Sequence, residues 1–189
     1  MLKPWRKLWR MGGLLFPILY FFQPKAFMLV FTAVFLVFFL VLEIIRFKNP
    51  DINDTVFQRL DFLLKEKEKK KLTTTTLFLI GVFVSILFFP KPIAILALFY
   101  LIFGDSLAEI VGLTAGRIKI FDKTLEGSMA CLAICILIGV IFYYQMGVRL
   151  LAVVLGAVAA TIIELLPVRL DDNLTIPIVS GLVMSLLSI

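Results

Sequence analysis

Histidine is missing from this chain. Its absence removes the commonest general base and metal ligand, so acid–base or metal chemistry falls to Asp, Glu or Lys. Cysteine is scarce, with Cys131 and Cys135 the only two. Four apart in an apolar run, they share one helix face and are too constrained to bridge each other. Packing is the reading they support, because a metal site there would want histidine nearby. Charge is also scarce, at 17% of residues against 61% apolar, where a soluble domain is near half apolar. The longest polar stretch, roughly 46–72, leaves no room for a separate soluble domain in 189 residues. A small-x-small cleavage site is lacking after the basic Lys3–Arg10 segment and the apolar Gly13–Phe22 run. Phe21-Phe22-Gln23-Pro24-Lys25 follows instead, so the segment reads as a retained first helix.

What is present is hydrocarbon in runs near the ~18–20 residues that a helix needs to cross a bilayer. The pattern predicts an all-α, multi-pass integral membrane bundle forming one domain over 1–189. About seven spans can be drawn, over roughly 8–22, 26–45, 73–89, 93–115, 128–145, 149–166 and 174–188. With these edges, 16 of the 19 basic residues fall on one side and only Lys25, Lys91 and Arg149 on the other. The positive-inside rule then puts the N-terminus in the cytoplasm and the C-terminus outside. All 13 carboxylates fall in the same loops or towards the same helix ends, so any chemistry is expected at the cytoplasmic face. No nucleic-acid partner is expected, and the oligomeric state, homo-oligomer included, stays open.

Within the polar stretch, Val56, Phe57, Leu60, Leu63 and Leu64 recur at helical spacing opposite Gln58, Arg59, Asp61, Lys65 and Glu68. Asp54 to Lys70 therefore reads as an amphipathic helix on the inner surface, or as a solvated charge run that enforces topology. The Thr73–Thr76 run suits a helix cap. Glu43 could be a further member of the polar clusters later in the chain, but fits a paired or snorkelling charge better.

Polar chemistry concentrates in Gly104-Asp105-Ser106-Leu107-Ala108-Glu109, then Gly112, Gly116-Arg117-Ile118-Lys119 and Lys123-Thr124-Leu125-Glu126-Gly127-Ser128. Ionisable groups inside a bilayer segment are costly and mark functional sites by default. At ~1.5 Å per residue, Asp105 lies about 20 Å into its span, with Glu109 one turn further. Asp105, Glu109 and Gly112 share a helix face at i, i+4 and i+7. Such carboxylates need a counter-charge, from a divalent metal or from Arg117, Lys119 and Lys123. Gly112 and Gly116 permit close approach or unusual backbone angles, and Ser128 opens a helix whose N-terminus favours anions. Phosphate binding and plain glycine-mediated helix packing both fit this spacing. A second cluster comprises Glu164, Arg169, Asp171, Asp172 and Asn173, with Pro177 kinking the last span. Asp-Asp-Asn suits Mg²⁺ as an oxygen-ligand set, and equally suits capping by Asn173 or Asp172.

Together, Asp105, Ala108, Gly112, Gly116, Arg117, Lys119, Lys123, Leu125, Glu126, Gly127, Ser128, Glu164, Asp171, Asp172, Asn173 and Pro177 form a pattern. It resembles that of the CTP-dependent lipid-alcohol kinases, including dolichol kinase, phytol kinase and CTP-using diacylglycerol kinase. The likeness is close over 104–181 and looser through Arg6-Lys7 and Glu68. The family usually carries His after the Arg-Lys pair and Thr-Gly after Leu72; this chain has Trp9-Arg10 and Thr73-Thr74. The resemblance implies transfer of the γ-phosphoryl of CTP to a lipid alcohol such as a polyprenol, a phytol-type alcohol or diacylglycerol. It implies that Gly112, Gly116, Arg117, Lys119, Lys123, Glu126 and Ser128 hold the nucleotide phosphates. Asp105, Asp171, Asp172 and Asn173 would hold Mg²⁺, and Glu109 or Glu164 would orient or deprotonate the alcohol. Phosphatidate cytidylyltransferase shares the Gly-Asp and Lys-Thr-x-Glu-Gly part and stays an alternative, although the later Asp-Asp-Asn-Leu-Thr-Ile-Pro favours the kinases. A cation-coupled transporter is the alternative of another class, and it predicts acids through the full membrane depth.

Overall fold

A computed structural model describes residues 11–60, 66–168 and 170–188, with the backbone alone at 66 and 67. The sequence-predicted charges Lys3, Arg6, Lys7, Arg10, Asp61, Lys65 and Arg169, and the apolar Leu63 and Leu64, lie outside the described residues. The fold is helical: α1 (Leu15–Phe22), α2 (Lys25–Lys48), α3 (Pro50–Arg59), α4 (Thr74–Phe88), α5 (Lys91–Phe99), α6 (Ser106–Thr114), α7 (Leu125–Met146), α8 (Leu150–Leu165) and α9 (Asp172–Leu187). Among the described residues one exception interrupts the helices. A β-hairpin of two-residue strands, β1 (Lys119–Ile120) and β2 (Lys123–Thr124), joins α6 to α7.

Among the described residues, three stretches are long and apolar enough to cross a bilayer: Lys25–Lys48, Lys91–Thr114 and Leu125–Met146. Shorter apolar helices, Thr74–Phe88, Leu150–Leu165 and Asp172–Leu187, occupy the places of other expected spans. Much of the α2 surface is bare hydrocarbon, with Val30, Val34, Val37 and Phe38 exposed. Apolar exposure on that scale suits lipid and not water.

The middle of the bundle is the Lys91–Thr114 stretch. Proline near the start of α5 is tolerated because the first turn has no partner for its missing N–H. Ile93 to Leu98 are buried on every side, as expected for a helix ringed by others. Between α5 and α6 the helix widens into a π turn, Tyr100–Asp105. The Tyr100 hydroxyl, fully buried, donates to the Val153 carbonyl of α8 at 3.0 Å and fixes where that turn begins. Single π turns of this kind are frequent at functional sites. Gly104, inside the turn, faces Cys131 and Cys135 of α7: a β-carbon there would meet their sulfurs at 3.0 and 2.9 Å. The two cysteines are free and buried, as packing residues should be.

The expected inner-surface helix over Asp54–Lys70 takes another form. Helix α3 starts earlier, at Pro50, and stops at Arg59, and Glu66–Lys70 is a short 3₁₀ turn. Glu68 is not on a solvated face; it is buried and accepts the Thr74 hydroxyl at 2.6 Å. The segment is tied to the bundle by Arg46, whose guanidinium pairs with buried Glu43 and donates to the carbonyls of Glu68 (3.0 Å) and Lys71 (2.7 Å). Glu43 in turn accepts the Thr73 N–H at 2.8 Å and the Thr76 hydroxyl at 3.1 Å. Thr73 caps α4, as the threonine run predicts. Glu43 is thus the paired charge that its position suggested, in a cluster of its own.

Candidate active site

The loop between α6 and α7 and the loop between α8 and α9 meet at one end of the bundle. Their meeting point is Lys123, on β2. Its ammonium bridges Asp172 (2.8 Å) at the start of α9 and Glu164 (3.1 Å) near the end of α8. The other Glu164 oxygen accepts the Ser128 hydroxyl at 2.9 Å. Glu164 is only 4% exposed, so its charge is held by two partners and not by water. Burial works against the Lys123 charge, but the hydrogen bond and attraction of Asp172, with those of Glu164, outweigh it and hold its pKa above the usual lysine value. The sequence named all four residues in two separate clusters, and folding joins them.

Local chemistry sets each position. Thr124 caps α7 by accepting the Gly127 N–H at 3.2 Å, so the helix starts at Leu125 and Ser128 sits one turn in. The expectation that Ser128 opens the helix gives way: it lies in the first turn, where its hydroxyl donates to Glu164. Glu126 accepts the Ile118 N–H through both oxygens (3.2 and 3.3 Å), with the Arg117 charge close by. It braces the hairpin from the first turn of α7.

The glycines act by closeness. A β-carbon on Gly127 would stand 2.6 Å from the Ala108 carbonyl, and one on Gly112 2.8 Å from the Thr124 hydroxyl. Their absence lets α6 and α7 touch backbone to backbone. Neither Gly112 nor Gly116 has positive φ, so the expectation of unusual backbone angles is not met. In the hairpin that conformation belongs to Phe121, at φ 55°. Thr124 and Phe121 are the two local determinants that the sequence reading passed over. Thr124 directly before the Leu125-Glu126 helix start was a capping signal that could have been read; an aromatic in a turn gave none.

Asp171 caps α9, accepting the backbone N–H of Asn173 at 3.0 Å and its side-chain amide at 2.6 Å. The cap is therefore Asp171, one residue before the two candidates that the spacing allowed. Asp105 and Asp171 both lie within Coulombic reach of Asp172. Glu109 lies four residues beyond Asp105 on α6, on the exposed side. Arg117 and Lys119 are exposed around the hairpin.

The acids fit a hard divalent cation by donor type. Among the described residues no three of them converge tightly enough to cage an ion alone. Mg²⁺ needs no such cage, since it keeps waters, takes one or two carboxylates and shares substrate phosphates. Asp105 and Asp172, within Coulombic reach of each other, are of the right donor type.

No family model matches the chain, and no solved structure does. An uncharacterized protein of Rickettsia prowazekii is 26% identical over 92% of this chain and 88% of its own length. The CTP-dependent diacylglycerol kinase 1 of Saccharomyces cerevisiae is 25% identical over 77% of this chain and 59% of its own. A probable chloroplastic phytol kinase 1 of Glycine max is 32% identical over 47% of this chain and 34% of its own. The chain is thus a helical membrane protein distantly related to CTP-dependent diacylglycerol and phytol kinases. It spans little more than half the length of the yeast enzyme that it matches.

Proposed function

We propose that the chain transfers the γ-phosphoryl group of CTP to the hydroxyl of a membrane lipid alcohol, on the cytoplasmic side of a multi-pass bundle of about seven spans. The bond from the γ-phosphorus to the β–γ bridging oxygen breaks, and CDP is released. The observation that carries this reading is Lys123 bridging Glu164 and Asp172, which brings both polar clusters of the sequence together at one end of the bundle. The distant relatives named as CTP-dependent lipid kinases support it.

Phosphoryl transfer asks for positioning and charge neutralisation more than for covalent chemistry. Lys123, with Arg117 and Lys119 around it, binds the triphosphate. Lys123 turns from its two carboxylates to the incoming phosphates, and Asp172 and Glu164 are uncovered as it does so. Asp105 and Asp172, with Asp171 and Asn173 behind them, would hold Mg²⁺, which would supply the remaining charge neutralisation at the phosphoryl oxygens. Glu164 accepts the proton of the lipid hydroxyl, with Ser128 keeping its carboxylate oriented. Glu109, on the exposed side of α6, orients the alcohol. Gly112, Gly116 and Glu126 act indirectly, by seating the hairpin against α6 and α7.

The test is incubation of the purified chain in mixed micelles with Mg²⁺ and CTP labelled at the γ or, separately, the α phosphorus. Polyprenol, phytol and diacylglycerol are offered as acceptors. Label from the γ position in lipid is the expected result. Label from the α position would mean a cytidylyltransferase instead, and no label in any lipid would overturn the reading.

A further inference from the structure

We propose that the β1–β2 hairpin is a membrane-interface anchor: Phe121 inserts at its tip into the leaflet at this end of the bundle, and in the nucleotide-free protein Arg117 and Lys119 pair with anionic lipid headgroups. This rests on the membrane-spanning helices and not on the phosphoryl-transfer reading.

Three observations carry it. The two-residue connection of the hairpin has φ 55° at Phe121, where glycine is the usual residue because a side chain there is strained. A strained aromatic at an exposed tip has no packing role within the fold: Phe121 is 62% exposed and Ile118, before β1, 54%. Two large apolar side chains exposed together beside a basic loop form a patch that suits a lipid partner. Second, the hairpin is tethered on both sides to stretches able to cross a bilayer, Lys91–Thr114 and Leu125–Met146. Residues 115–124 therefore cannot stray far from the interface, where aromatic side chains are enriched. Third, the apolar residues are interleaved with Arg117 and Lys119, both exposed, against the one acid Asp122 of the segment, while Lys123 is already paired with Asp172 and Glu164. Basic residues at that level are attracted to anionic lipid. The surface thus fits an anionic leaflet, apolar at the tip and positive at the shoulders. Lys123 lies on the same hairpin, so the anchor would hold the site's central cation at a set depth.

The test uses the full chain with Phe121→Cys carrying a nitroxide spin label, the buried Cys131 and Cys135 being left in place. The protein is reconstituted into phosphatidylcholine vesicles with and without phosphatidylglycerol. Collision with oxygen, which partitions into lipid, is compared with collision with a water-soluble nickel chelate. A several-fold preference for oxygen is expected. It should rise with phosphatidylglycerol, and Arg117→Gln with Lys119→Gln should remove that rise. Nickel accessibility equal to that of a free label in water would overturn the anchor. Depth that ignores lipid charge would overturn the headgroup pairing. None of these readouts involves nucleotide, so they fail or succeed separately from the proposed reaction.

Discussion

The carbonyl oxygen of Asn173 lies against the backbone of Gly81: a β-carbon on Gly81 would stand 2.5 Å from it. The cause is four residues further along. Pro177, inside α9, has no N–H to offer that carbonyl. Glycine on α4 lets another backbone close over the orphaned acceptor, where weak Cα–H···O contact is available. The first turn of α9, which carries Asp172, is thereby set by a glycine on a different helix.

Gly81→Ala should therefore push that turn outward and move Asp172 away from Lys123. A displacement near 1 Å at a reacting centre costs on the order of 10²-fold in rate. Turnover should fall that far, with a modest drop in melting temperature. Gly12→Ala, at a glycine with open space around it, should change neither.

Lys123→Met leaves Asp172 and Glu164 facing each other without their cation. The ammonium is part exposed, so the stability cost is about 1–3 kcal/mol and not the full buried-pair figure. Adding Asp172→Asn should restore part of that stability without restoring activity. Thermal melts of the two single variants and the double variant measure the coupling.

The same bridge has an alkaline limit. The Lys123 pKa is raised in the folded protein above its ordinary 10.5. Its stabilisation is thus fully present below that value and is lost as pH rises through the higher folded value. The melting-temperature gap between the parent chain and Lys123→Met should stay constant from neutral pH to about pH 10 and close above it.

Arg46→Ala should be the most damaging change outside the site. It strands buried Glu43 and releases the carbonyls of Glu68 and Lys71. Breaking a buried pair from one side costs ~3–5 kcal/mol. Limited proteolysis should then cut near residue 70 well before the bundle melts.

Asp105→Asn keeps the shape of the side chain and removes its charge. Under the proposed reaction it should abolish lipid phosphorylation while the melting curve stays in place. Full activity would remove Asp105 from the proposed machinery.

The helices could be read from the sequence because their apolar runs are long and their breaks fall at Gln23-Pro24, Pro90 and Gly147. The two polar clusters are legible in the sequence as clusters, since charged residues in hydrocarbon announce themselves. Their contact could not be read, because Lys123 and Glu164 are brought together by how α7 packs on α8. The role of the glycines was half read: spacing gives a helix face, but only the neighbour shows whether that face meets a ligand or a backbone. The Glu43–Arg46 pair had a local signal, an acid three residues before a base on one helix. Its further reach to Glu68 and Lys71 depended on a loop whose path no periodicity encodes.

The π turn over Tyr100–Asp105 amounts to one residue more than an α-helix would need there. Without that residue the helix would run on unbroken, and everything after it would rotate by about 100° around the axis. Asp105, Glu109 and Gly112 would swing round together while the α5 half kept its packing. The turn works as a clutch between two lengths of one rod, setting the angle at which the acids meet the neighbouring helices.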